Sequence, residues 1–121
     1  MYKLVVLVKR KPGLTRQQFK DYFETKHVKF GERYLPPYCT KYIRRYLIPQ
    51  SNPMTPNQPP HPDFDALVEL WFADEEQFKA FQASVAGEAD VHLVVEDEER
   101  FQDRNNVYRY LVEEHQSWGP E

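Results

Sequence analysis

The chain has 121 residues, a net charge of −3 and a single cysteine, Cys39. That length suits one domain, spanning 1–121 and burying roughly two-thirds of its unfolded surface; the lone cysteine excludes a disulfide framework or thiolate metal site and fits a reducing, cytoplasmic compartment. Interspersed acids and bases leave no basic stripe for nucleic acid, and no apolar run nears the roughly 20 residues of a membrane span.

Residues 2–9 (YKLVVLVK) read as a central strand, apolar almost throughout and covered on both faces. The apolar run Leu4 to Val8 is too short for a leader peptide, and charges with Pro12-Gly13 come after it. Thr15-Arg16-Gln17-Gln18 forms a capping box. It opens a helix with Phe19, Tyr22, Phe23, Lys26, His27 and Phe30 along one side, ended by Gly31 and Pro36-Pro37. Residues 39–48 carry β-formers and predict a second strand. Residues 49–63 hold six of the ten prolines and predict a long surface loop, a candidate lid.

Residues 64–72 alternate cleanly. Phe64, Ala66, Val68, Leu70 and Phe72 point one way, Asp65, Leu67, Glu69 and Trp71 the other. Asp74 to Gln77 is a second capping box, opening a helix that carries Phe78, Phe81 and Val85 inward and stops near Gly87. Residues 88–103 predict a short helix and turn ending in the acidic run Asp97-Glu98-Glu99, and residues 106–114 a last strand. The order β-α-β-β-α-β is the ferredoxin-like α+β pattern: four antiparallel strands with both helices on one face. The uncovered face needs a partner, so a homodimer with sheets laid face to face around a cavity is expected.

The run Lys9 to Phe19, then Tyr22-Phe23, His27 and Leu35-Pro36, resembles the EthD signature. Phe64-Asp65, Glu69 to Phe72, Asp97 to Asp103 and Tyr110 to Glu114 are similar to its later segments, so the resemblance spans nearly the whole chain outside the proline-rich loop. It implies the dimeric α/β barrel superfamily, whose cofactor-free members include monooxygenases of anthrone-like phenols, polyketide cyclases, decarboxylases or dehydratases, and isomerases. Fungal relatives often accompany polyketide biosynthesis, and the sequence looks closer to those. It also implies a functional histidine at the helix position of His27.

Chemistry centres on His27, which titrates near neutrality and suits a proton shuttle; the plainer reading is a helix-end histidine bonded to a carbonyl. Asp65 and Glu69, with Trp71, share the cavity-facing side of one strand. The carboxylates lie about 13 Å apart, too far for a shared-proton dyad. Glu69 could instead pair with Arg44 or Arg109, and Trp71 could stack a flat substrate or fill the dimer interface. Tyr42, Arg44 and Tyr46 share one side of the second strand, and Tyr108 and Tyr110 one side of the last. With Tyr22, these phenols and the guanidinium are candidate binders of an anionic intermediate, although tyrosines are common in strands. His61, His92 and His115 lack metal-ligand spacing, and no phosphate loop or nucleophile elbow occurs, so no metal or cofactor is expected.

Superfamily oxygenases carry a strand asparagine shortly before a tryptophan; Asp65 and Leu67 stand before Trp71 here. The expected activity is therefore cofactor-independent acid–base chemistry of lyase or isomerase type on an aromatic or polyketide-like small molecule, bound between helices and sheet. The alternatives are a cofactor-free monooxygenase of phenolic or anthrone substrates and a non-catalytic small-molecule-binding dimer.

Overall fold

The computed structural model describes residues 1–58, 63–87 and 91–120. It is an α+β ferredoxin-like fold: a four-stranded antiparallel sheet of order β2-β3-β1-β4, formed by β1 (Tyr2–Val8), β2 (Cys39–Tyr46), β3 (Ala66–Phe72) and β4 (Tyr108–Leu111). β1 and β3 pair along their whole lengths, from Tyr2 opposite Phe72 to Val8 opposite Ala66. Alternation along β3 buries Ala66, Val68, Leu70 and Phe72 under the helices, joined by Leu4 and Val8 of β1.

Thr15 caps α1 (Arg16–Tyr22) as the sequence predicts: its hydroxyl accepts from the Gln18 amide while the Gln18 side chain accepts from the Thr15 amide. The helix then widens into a π-helical turn, Phe23–His27, before resuming as α2 (Val28–Tyr34). Thr25 lies in that turn and donates its hydroxyl to the Asp21 carbonyl at 2.6 Å, a back-bond that competes with the regular ladder and bends helices. Gly31 does not end the helix. It lies inside α2 because a Cβ there would collide with the ring of Tyr42. Asp74 caps α3 (Glu75–Gly87) by accepting from the Gln77 amide.

The acidic run is also placed differently from expectation. Asp97 to Glu99 fall inside α4 (Val91–Phe101), not at a helix end. The apolar stripe Val91, Val94, Val95, Phe101 has helical period, but its central position is Glu98, which breaks the pattern in sequence. Three other boundaries shift: β2 stops at Tyr46, β3 begins at Ala66, and β4 is only four residues long. Of the proline-rich segment, the described residues form no helix or strand; His61 lies outside the described residues. Phe19, Phe72 and Phe101 are fully buried, and Phe101 joins the layers, with ring centroids 5.6 Å from Phe19 and 5.1 Å from Phe23. No described helix is long and apolar enough to cross a membrane.

Candidate active site

A cavity of about 420 Å³ lies between the sheet and the helices, within the single chain. Its walls are mostly aliphatic and aromatic: Val6, Val8, Val68 and Leu70 from the sheet, Phe23 and Phe30 from the first helical stretch. Polar side chains also line it: His27, Tyr42, Glu98 and Gln102, with Arg33, Tyr34, Tyr38 and Ser84.

His27 ends the π-helical turn, and three aromatic rings surround it. Phe101 is closest at 4.9 Å between centroids, with Phe23 at 5.6 Å and Phe30 at 5.8 Å. Its side chain is only 11% exposed. Nδ1 lies 2.9 Å from Asp97 Oδ2. A carboxylate can only accept, so Nδ1 carries the proton and Nε2 is left as the basic nitrogen. Burial lowers the His27 pKa below its ordinary value, and the opposing pull of the Asp97 carboxylate does not reverse this.

Asp97 is itself buried and accepts from three donors: the Tyr22 hydroxyl at 2.6 Å, His27, and Arg100 Nη1 at 3.2 Å. Burial alone would raise its pKa, but these hydrogen bonds outweigh it and hold the carboxyl below its usual value. Asp97 therefore stays anionic and fixes the imidazole's tautomer and tilt. One residue on, Glu98 lines the cavity, and its carboxyl makes no hydrogen bond or close ion pair among the described residues. Burial raises its pKa. Tyr42 also keeps its proton well beyond neutral pH, because burial raises its pKa strongly.

The other sequence candidates lie elsewhere. Tyr22 supports Asp97 and does not line the cavity. Arg44 and Tyr46 are on the helix-facing side of β2, and both are taken by Glu24: Arg44 bonds it through Nε and Nη2 at 2.8 Å each, and the Tyr46 hydroxyl donates to it. Asp65 is not on the face with Glu69. It precedes β3, is buried, and accepts from the Arg10 amide at 2.9 Å with the Arg10 and Arg16 guanidinium groups 3.8 Å away, tying the end of β1 to the start of α1.

Glu69 and Trp71 occupy the uncovered face, away from this cavity. Glu69 pairs with Arg45, not with Arg44 or Arg109, and accepts from the Trp71 indole. The Trp71 ring lies between Lys3 Nζ at 3.7 Å and Lys41 Nζ at 4.4 Å. Tyr108 and Tyr110, opposite Leu7 and Val5, are exposed on that same face. Of the residues singled out from sequence, His27 and Tyr42 line this cavity, whereas Glu98 and Gln102, which also line it, and Asp97, which holds His27, are not among them. The signal for two of them is the intrusion of Glu98 and Gln102, four residues apart, into an otherwise apolar helical stripe. Among the described residues no cluster of His, Cys, Asp and Glu could hold a metal ion.

Comparison with known proteins bears on the fold and the family. The EthD domain family matches residues 11–105. A crystal structure of an ethyl tert-butyl ether d (EthD) family protein from Bacillus halodurans is similar, with TM-score 0.62 and 16% identity over 95% of this chain and 100% of that one. A protein of Arabidopsis thaliana gives 0.64 at 11% identity, covering 98% and 99%. A dimeric ferredoxin-like protein from Thermobifida fusca gives 0.52 at 15%, covering 92% and 86%. A search of curated proteins finds no match.

Proposed function

Because the chain belongs to the EthD domain family, we propose that it is a cofactor-independent acid–base enzyme of lyase or isomerase type, acting on an aromatic or polyketide-like small molecule held in the cavity. The observation that carries this reading is a buried imidazole, oriented by a buried carboxylate, at the wall of an apolar chamber large enough for a drug-sized ligand. Neutral His27 accepts a proton at Nε2 from an acidified carbon or hydroxyl of the substrate. Asp97 stabilises the resulting imidazolium through Nδ1. Tyr42, still protonated, can donate a hydrogen bond toward the developing oxyanion, and Glu98 can return a proton to carbon or to a leaving hydroxyl.

The protein works as a homodimer in this reading. The uncovered sheet face presents Val5, Leu7, Ile43, Leu67 and Trp71 with Tyr108 and Tyr110 at its edge, interleaved with the paired charges of Glu69, Arg45, Lys3 and Lys41, a mixed surface that a second copy would seal. The Thermobifida fusca relative is described as dimeric.

The test is anaerobic turnover of hydroxylated aromatic and polyketide-like compounds by the wild type and His27→Ala. Product of unchanged oxidation state, lost in the variant while the fold persists, is the expected result. Equal turnover by the two proteins would remove His27 from the mechanism.

A further inference from the structure

Gln102 comes directly after α4, at the end of the stripe on which Glu98 stands, and its amide donates to the Glu98 carbonyl at 2.8 Å. The residue is 6% exposed and forms part of the cavity wall. Its side-chain oxygen Oε1 is enclosed and has no hydrogen-bond partner among the described residues. Buried side-chain carbonyls are nearly always satisfied in folded proteins, so an orphan at a cavity wall marks the place where something else supplies a donor. The terminal torsion of a glutamine is broad, and a modest turn brings the carboxamide to face the chamber.

The neighbourhood restricts what that donor can be. Val8, Val68, Val94 and Val107 share the wall with Gln102, so a donor that carries an apolar body covers this surface, which a lone water would leave unfilled. A cationic donor would likewise enter an apolar chamber whose one facing carboxyl, Glu98, is pushed toward its neutral form. A neutral hydroxyl on a flat apolar body meets every constraint: it donates to Oε1, accepts from the carboxamide N–H or the carboxylic acid, and leaves its ring against the aliphatic wall.

We propose that Gln102 and Glu98 form a hydroxyl-recognition pair, so that the ligand class of this cavity is a hydroxylated aromatic whose hydroxyl donates to Gln102 Oε1. The proposal rests on the reading of the cavity as a small-molecule site and adds which chemical group it selects. Gln102 is a binding residue here, and the protons move at His27.

Titration calorimetry of the full chain with 1-naphthol and 1-methoxynaphthalene tests it, because the ether keeps the ring and oxygen but has no proton to donate. Wild type should prefer the naphthol by about tenfold, the worth of one good hydrogen bond into an enclosed site. Gln102→Leu and Gln102→Met, each checked for a native melting transition, should bind both compounds equally, with affinity for the ether kept or increased. A preference that survives in either folded variant, or equal binding by wild type, would overturn the assignment while leaving the cavity as a ligand site. Failure of wild type to bind either compound would overturn both.

Discussion

The two faces of the sheet handle their charges differently. On the uncovered face Glu69 is answered by Arg45 and the Trp71 indole, and that indole lies between the ammonium groups of Lys3 and Lys41. Each charge there has a neighbour of opposite character or an aromatic face. At the cavity wall beneath the helices, burial acts on three groups more than partners do: His27 is driven toward its neutral base, Glu98 toward its neutral acid, and Gln102 is left with an unpartnered oxygen. A carboxylate matched by an opposite charge is structural, and one without a hydrogen-bonded partner in an apolar wall is available for chemistry.

The contrast fails first at His27. Replacing it with alanine is expected to lower turnover by about 10²–10⁴, while Glu69→Gln on the other face should stay within about twofold, the span of an ordinary surface substitution. Comparable losses in the two variants, measured as kcat/KM, would abolish the distinction.

Next in size is Asp65, whose buried carboxyl holds the Arg10 amide. Asp65→Ala should cost about 1–3 kcal/mol in urea unfolding by stranding that donor, with turnover per folded molecule unchanged.

The pH dependence of stability separates the two cavity groups by sign. His27 has a folded pKa below its ordinary 6.5, so the unfolded chain takes up a proton that the folded chain refuses; its contribution is present above that value and is lost as the pH falls through it. Glu98 has a folded pKa above its ordinary 4.5, so the folded chain keeps a proton longer, and its contribution declines as the pH rises past 4.5. Over pH 5–7, subtracting the His27→Gln profile from wild type should leave a rising curve, and subtracting that of Glu98→Gln a falling one. Two curves of the same sign would contradict the assignment. The smallest effect is expected at Lys3, which pairs with Glu114 and lies over Trp71. Lys3→Ala should cost only about 0.5–1 kcal/mol, with turnover unmoved.

Much of the fold can be read before any coordinates. Both capping boxes and the period-2 run ending at Phe72 announce their elements through local chemistry. The site is less legible, for two reasons. Asp97 meets His27 across 70 positions of chain, a contact no local pattern encodes. Glu98 and Gln102 replace apolar residues in the α4 stripe and weaken the very periodicity that would have located the helix. Gly31 misleads in another way: in sequence it looks like a helix terminator, but its missing side chain makes room for Tyr42.

The widened turn at Phe23–His27 carries one residue more than a regular helix would need between the anchored ends of α1 and α2. Were the ladder even through this turn with every residue kept, His27 and α2 would stand rotated relative to Phe19 and Phe23 by about 100°. The imidazole would then swing away from both the chamber and Asp97. The register of His27 is therefore set by the widened turn as well as by side-chain identity, and a change that straightens the ladder while keeping every named group would still part them.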